Sequence, residues 1–328
     1  MFALFIAVVA GLQGCVEQQE GSGSSTPSGP VAIPYRIVCT TGMVTDIVRE
    51  VAGERATVIG LLGKVDPHTY DPTLEDVENL LSADVVFYNG LHLEGQMQPA
   101  LEKVGKKGKL VRAVASCLEE PPGFLRHPPE FDTHPDPHVW GDVSAWSRCV
   151  GYVAEVLAEY DPSGSDVYAK NATRYQTQLR ELDDYAMTSI ASIPADRRVL
   201  VTAHDAFGYF SARYGMQVQS VQGITTESEA GLDDVNRLVR FLVSNKIPSL
   251  FVEETVNSRN LMSVIEGAKA HGWTVSIGGS LYSDSMGNQG TYTGTYIGMM
   301  DHNITTIVRA LGGTVPPLGL NGKLPSSD

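Results

Sequence analysis

Aspartate, proline and histidine stand together twice in this chain, as Asp66-Pro67-His68 and Asp136-Pro137-His138. Imidazole is a borderline-soft nitrogen donor that suits zinc and other late transition metals. A proline before it fixes φ, removes a backbone donor and disfavours helix at the preceding aspartate, so each histidine is expected on a rigid loop. Such a ligand needs little rearrangement to bind. A third histidine closes the run Arg198-Val199-Leu200-Val201-Thr202-Ala203-His204, which reads as a buried strand delivering the ring at its carboxyl end. A helix is expected from Asp205, with Gly215 able to end it. The carboxylate of Asp284 follows another strand-like run, residues 274–277, through a loop Gly278-Gly279-Ser280-Leu281-Tyr282-Ser283. These four residues are separated by 70, 66 and 80 positions, far beyond zinc-finger spacing, so only tertiary structure could gather them. Spacing alone leaves two readings open: a closed four-ligand metal site, or four separately satisfied polar residues in loops.

The elements that must do the gathering are alternating strands and helices. Strand-like runs at residues 36–40, 56–62, 84–88 and 109–113 alternate with helical periodicity, in Val44, Ile47, Val48 and Val51 and again in Leu74, Val77, Leu80 and Leu81. That order predicts a mostly parallel sheet flanked by helices. A second series runs through 199–201, 250–252 and 274–277, with a helix carrying Leu232, Val235, Leu238, Val239 and Leu242. Between the two series, Tyr168, Ala172, Tyr175, Leu179, Leu182 and Ala186 mark one long helix, after Asp161-Pro162-Ser163 and before Pro194. About 27 residues of helix reach ~40 Å, enough to run along both halves as a stiff connector. The expected architecture is α/β: an N-terminal lobe over residues 35–160, a connecting helix within 161–194 and a C-terminal lobe over 195–328. Doubly wound sheets bind ligands beyond the carboxyl ends of their strands, which puts the metal site in the interlobe cleft.

Of 328 residues, 42% are hydrophobic and 19% charged, the balance of a packed globular chain near the length at which single cores split. A net charge of −14 without a basic run would repel a phosphate backbone, which excludes nucleic acid as a partner. Residues 2–12 form an apolar run too short to span a bilayer, so residues 1–14 read as a signal peptide, although no Lys or Arg precedes the run. Leu12-Gln13-Gly14-Cys15 resembles a bacterial lipobox, which makes Cys15 the lipid-modified first residue of the mature chain. Residues 15–34, rich in Gly, Ser, Gln and Pro, then read as a flexible tether to a membrane. Three cysteines remain, Cys39, Cys117 and Cys149, with no C-x-x-C spacing; at most one disulfide can form, and Cys39 reads as a small core residue.

Together these segments resemble the metal-binding, substrate-binding proteins of bacterial zinc and manganese ABC importers, the TroA-like group. The resemblance is carried by Thr41-Gly42-Met43-Val44-Thr45-Asp46-Ile47, Asp66-Pro67-His68-Thr69-Tyr70-Asp71-Pro72, Asn89-Gly90-Leu91-His92-Leu93-Glu94 and Asp136-Pro137-His138-Val139-Trp140. In the second half it is carried by Thr202-Ala203-His204-Asp205-Ala206-Phe207-Gly208-Tyr209-Phe210 and Leu281-Tyr282-Ser283-Asp284-Ser285-Met286-Gly287. It implies two α/β lobes bridged by a long helix, metal ligands at His68, His138, His204 and Asp284, and delivery of a divalent transition metal to a membrane permease. It also implies an exported, lipid-anchored protein; a monomer is expected.

The third ligand position holds histidine in some members of that group and glutamate in others, the latter associated with manganese. With His204 there, three imidazoles and one carboxylate suit Zn2+ first, with Mn2+ as the alternative. Many zinc members carry a histidine-rich loop before the second Asp-Pro-His; here residues 121–136 hold only His127 and His134, each readable as metal recruitment or as plain loop. His92 is expected either to support a ligating imidazole through its other nitrogen or to be structural. Two other functions remain to be weighed. A metal-dependent hydrolase would need an open coordination position, and no His-Glu-x-x-His, Gly-x-Ser-x-Gly or phosphate-binding Gly-rich motif is present. An adhesin-like surface role, assigned to some relatives, could accompany metal capture.

Overall fold

The computed structural model describes residues 29–131 and 134–325; the expected signal peptide, Cys15 and most of the tether lie outside the described residues. In the first lobe, four strands form an all-parallel sheet in the order β2-β1-β3-β4: β1 (Tyr35–Cys39), β2 (Ala56–Gly60), β3 (Val85–Tyr88) and β4 (Leu110–Ala113). Side chains alternate across β1 as a pleated strand requires. Ile37 and Cys39 enter a core with α1 (Gly42–Ala52) and α4 (Val143–Tyr160), whereas Val38 enters a separate core with α2 (Leu74–Ser82) and α3 (Gln98–Lys106). The helices start where their sequences cap them. Thr73 and Asp76 form a reciprocal capping box at α2, and Asp142 accepts from Ser144 and Ala145 at the start of α4.

The long helix α5 (Ser165–Ala191) has 27 residues, and all six of its expected apolar positions are buried. Residues Pro162–Gly164 form a separate 3-10 turn, so α5 occupies less than the 161–194 bracket. It packs on α1 and α4 of the first lobe and on α6 (Gly208–Tyr214) and α9 (Tyr296–Ala310) of the second. One apolar core runs without a break from Ile37 through Leu179 to Phe251 and Ile304. The two lobes are therefore bound by shared packing as well as by the connector.

The second lobe holds two parallel pairs, β5 (Val199–Thr202) with β6 (Gln217–Ser220) and β7 (Ser249–Glu253) with β8 (Ser276–Leu281), and β5 approaches β7 within 8 Å between Cα atoms. Helices α7 (Leu232–Asn245) and α8 (Arg259–Ala270) cover one face. Three local expectations change. The helix after His204 begins at Gly208 instead of Asp205, because the Asp205 amide donates to Gly223 O at 3.2 Å and holds the chain in a turn. Gly215 ends that helix in the left-handed conformation, φ 68°, as expected. Strand β6 went unforeseen, since Gln217-Val218-Gln219-Ser220 carries one large apolar residue. Gly278 and Gly279 lie inside β8, beside a register shift in the pairing with β7. A Cβ on Gly278 would come within 2.9 Å of the Phe251 ring and of Ala310 Cβ, so the missing side chain is what lets β8 and α9 pack together. Among the described residues, no helix is long and apolar enough to cross a membrane.

Candidate metal centre

Each expected ligand emerges where a strand or loop of its lobe ends at the cleft. His68 follows β2, His138 immediately precedes a 3-10 turn at Val139–Gly141, His204 lies two residues past β5 and Asp284 three past β8. The two Asp-Pro-His loops fold alike: the His68 amide donates to Asp66 Oδ1 at 2.9 Å and the His138 amide to Asp136 Oδ1 at 3.0 Å. Each aspartate thus closes a tight turn around its proline and aims the histidine.

One side-chain atom from each of His68, His138, His204 and Asp284 lies within 4.8 Å of the others, and all four residues are buried. His68 Nε2 is 3.2 Å from His138 Nε2, while Asp284 sets Oδ1 3.3 Å from His138 Nε2 and Oδ2 3.0 Å from His204 Nε2. Both Asp284 oxygens and His204 Nε2 are sealed from solvent yet lack a well-angled hydrogen bond. Buried polar atoms are normally paired. Four donors converging on one point at contact distance, with their lone pairs poorly matched to each other, is the arrangement a shared cation would satisfy.

Behind the cluster, two carboxylates hold the far nitrogens of two rings. Asp136 Oδ1 lies 2.8 Å from His138 Nδ1, and Glu253 Oε2 lies 2.5 Å from His204 Nδ1. Glu253 Oε1 also accepts from the amides of Ala203 at 2.7 Å and His204 at 3.0 Å. These contacts turn each Nε2 toward the centre and favour keeping a proton on Nδ1 when Nε2 gives up its own to a metal. Glu253 escaped the sequence reading. Its signal was an acid at the end of a buried strand, Leu250-Phe251-Val252-Glu253, next to the strand that delivers His204.

The electrostatics follow from burial among charges. Burial holds His68 down, to about 3, so the ring is neutral. Burial also disfavours the charged form of His138, but Asp284 and the contact with Asp136 outweigh it and raise the ring to about 9. His204 rises well above its ordinary value because Glu253 and Asp284 overcome its desolvation. Burial works against ionisation of Asp284 as well, yet the charges of His204 and His138 hold it well below the carboxylate range. Without metal, two imidazolium protons stand in the centre opposite one carboxylate.

The other candidate histidines are not brought into this cluster. His92, His127 and His134 line a separate cavity of about 710 Å³ with Leu118 and Leu125, and the His92 and His134 rings stack with centroids 3.7 Å apart. The far nitrogens of His138 and His204 face Asp136 and Glu253, not His92. Cys39, Cys117 and Cys149 are free thiols.

Residues 37–310 match the family described as the periplasmic component A of a zinc-uptake complex, ZnuA. The chain is 42% identical over 292 residues to the manganese-binding lipoprotein MntA of Bacillus subtilis, covering 89% of this chain and 94% of that one. It is 43% identical over 276 residues to the zinc-binding protein TroA of Treponema pallidum, covering 84% and 88% respectively. The solved structure of the periplasmic zinc-binding protein TroA from Treponema pallidum superposes with a TM-score of 0.81, covering 85% of this chain and 99% of that one. The cleft between two α/β lobes and the match across nearly the whole described chain lead to one conclusion: the protein belongs to the ZnuA family, the metal-binding, substrate-binding components of ABC importers.

Proposed function

We propose that the protein captures one divalent transition metal, zinc in the first place, through His68, His138, His204 and Asp284, and hands it to the membrane permease of an ABC importer. The observation that carries this reading is the convergence of four buried ligand atoms within 4.8 Å. Three imidazoles with one carboxylate make a borderline donor set that suits zinc better than the oxygen-rich shell preferred by manganese. Manganese is the second reading, favoured by the relative at 42% identity that is named for binding it. The carboxylate offers two oxygens toward the imidazoles, which supports either cargo.

The same donor set supports a carrier over a hydrolase. A catalytic zinc keeps a coordination position for water and a base beside it; here four buried side-chain ligand atoms converge within 4.8 Å, the number that fills a closed tetrahedral site. The exported, lipid-anchored location rests on the residue pattern at Cys15 and on relatives described as lipoproteins or periplasmic proteins.

The test is a competition titration of chelator-stripped protein against zinc and manganese, separately and together. One metal per chain, abolished in His204→Ala and in His68→Ala, is the expected result. Unchanged stoichiometry and affinity in either variant would remove the site as assigned.

A further inference from the structure

Two sulfurs outside the metal centre are placed to react with each other. Cys117 sits in the 3-10 turn Val114–Leu118 after β4, Cys149 in the second turn of α4, and their Sγ atoms are 3.7 Å apart. Cys117 is partly exposed, whereas Cys149 and Cys39 are buried. A disulfide requires ~2.05 Å between sulfurs, so closure needs a movement of under about 2 Å, within the range of side-chain rotation. The Arg148 guanidinium, stacked 4.4 Å over the Phe124 ring, brings positive charge to the same place.

We infer that Cys117 and Cys149 form a redox pair that closes into an intramolecular disulfide in an oxidising compartment, tying the end of β4 to α4 and enclosing the segment that carries His138. The accessible member attacks first. The Cys117 thiolate displaces one thiolate from a small acceptor disulfide such as oxidised glutathione, giving a mixed disulfide. Cys149 then loses its proton, attacks Cys117 Sγ and releases the second glutathione thiolate. Two protein thiols are oxidised, one S–S bond forms, and both electrons and both protons leave on two glutathione molecules. Hydrogen bonding with Cys149, joined by the charge of Arg148, lowers the Cys117 thiol, which suits it to attack; burial raises Cys149, which keeps it from attacking first. Cys39, fully buried in β1, is out of reach of a soluble acceptor.

The pair is tested on the intact wild-type chain incubated with oxidised glutathione and mapped by mass spectrometry without reduction. The expected product is a monomer with the Cys117 and Cys149 peptides linked, Cys39 free, and a melting temperature raised by roughly 5 °C, as closing a loop of this length predicts. A dithiol reductant should reverse both changes, and Cys149→Ser should stop at a stable glutathione adduct on Cys117. Cys117 and Cys149 both still free, a linkage of either to Cys39, a linkage of either between two chains, or glutathione persisting on Cys117 of the wild type would overturn the assignment.

Discussion

Replacing Glu253 with glutamine should weaken metal binding while leaving the fold in place. Glu253 closes β7 and is only 5% exposed, so an isosteric replacement is the least disruptive one. Its Oε1 accepts from the amides of Ala203 and His204, and a glutamine carbonyl can go on doing so. The glutamine amide then occupies the position of Oε2, 2.5 Å from His204 Nδ1. A donor there favours the tautomer with Nδ1 bare and Nε2 protonated, the reverse of what a ligand acting through Nε2 needs. Losing the carboxylate also lowers the basicity of the ring. Supporting groups of this kind carry 10–100-fold in metal affinity, or about 1.4–2.8 kcal/mol. The assay is competition of metal-stripped Glu253→Gln against a chromophoric chelator at fixed pH, with the metal-free melting temperature recorded in parallel. A variant that melts like the wild type and binds within about twofold of it would refute the idea that Glu253 sets the state of His204.

Zinc binding at pH 7 should release about two protons per metal, because His138 at about 9 and His204 above its ordinary value are both protonated beforehand. Apparent affinity then falls as pH falls, and calorimetry in buffers of different protonation enthalpy reads the number directly; a value near zero contradicts the charge assignment. In the metal-free protein, the raised His138 contributes stability in full below its unfolded value of about 6.5. That contribution is lost as pH rises through about 9, so the melting temperature should drop there. Thr226→Val removes the hydroxyl that donates to Asp66 Oδ2 and should speed metal release about fivefold, the equivalent of ~1 kcal/mol, in a stopped-flow chelator experiment. Gly298→Ala puts a Cβ 1.8 Å from Tyr292 O at the start of α9, and should cost about 1–3 kcal/mol in denaturant unfolding.

Most of the frame was legible because its signals are periodic. The buried stripe of α5 was readable from Tyr168 to Ala186, and the alternation in β1 and β3 marks a sheet covered on both faces. The two Asp-Pro-His loops were readable for a local reason: proline limits what the preceding aspartate can do, and the aspartate caps the turn it cannot extend. What stayed hidden depends on partners distant in sequence. Glu253 looks like an ordinary strand-end acid until β5 lies beside β7. Gly278 and Gly279 look like a loop until Phe251, Ala310 and α9 show that the strand needs them bare. His92 sits in a left-handed backbone, φ 63°, that turns the segment toward His134; nothing in residue spacing encodes that turn.

The four proposed ligands are not held symmetrically by the two lobes. His138 belongs to the first lobe by sequence, yet its surroundings are bonded to the second from both sides. Tyr209 Oη donates to Asp136 O at 2.8 Å, Trp140 Nε1 donates to Ser283 O at 3.0 Å, and Tyr296 Oη donates to Trp140 O at 2.7 Å. His138, His204 and Asp284 therefore form one unit, with the carboxylate between two charged rings. His68 meets that unit through its own Nε2, 3.2 Å from His138 Nε2, but its loop is attached more lightly, through the Thr226 contact with Asp66 and an exposed Lys64–Glu254 pair at 3.8 Å, which contributes little in water. Its ring is the neutral one of the three and brings no proton to displace. If these four side chains hold the metal as proposed, three sit on one bonded platform and the fourth on a lighter hold, so withdrawal of His68 is the expected first step of release. The Thr226→Val release rate distinguishes this division from a rigid cage, in which loosening the Asp66 loop would leave release unchanged.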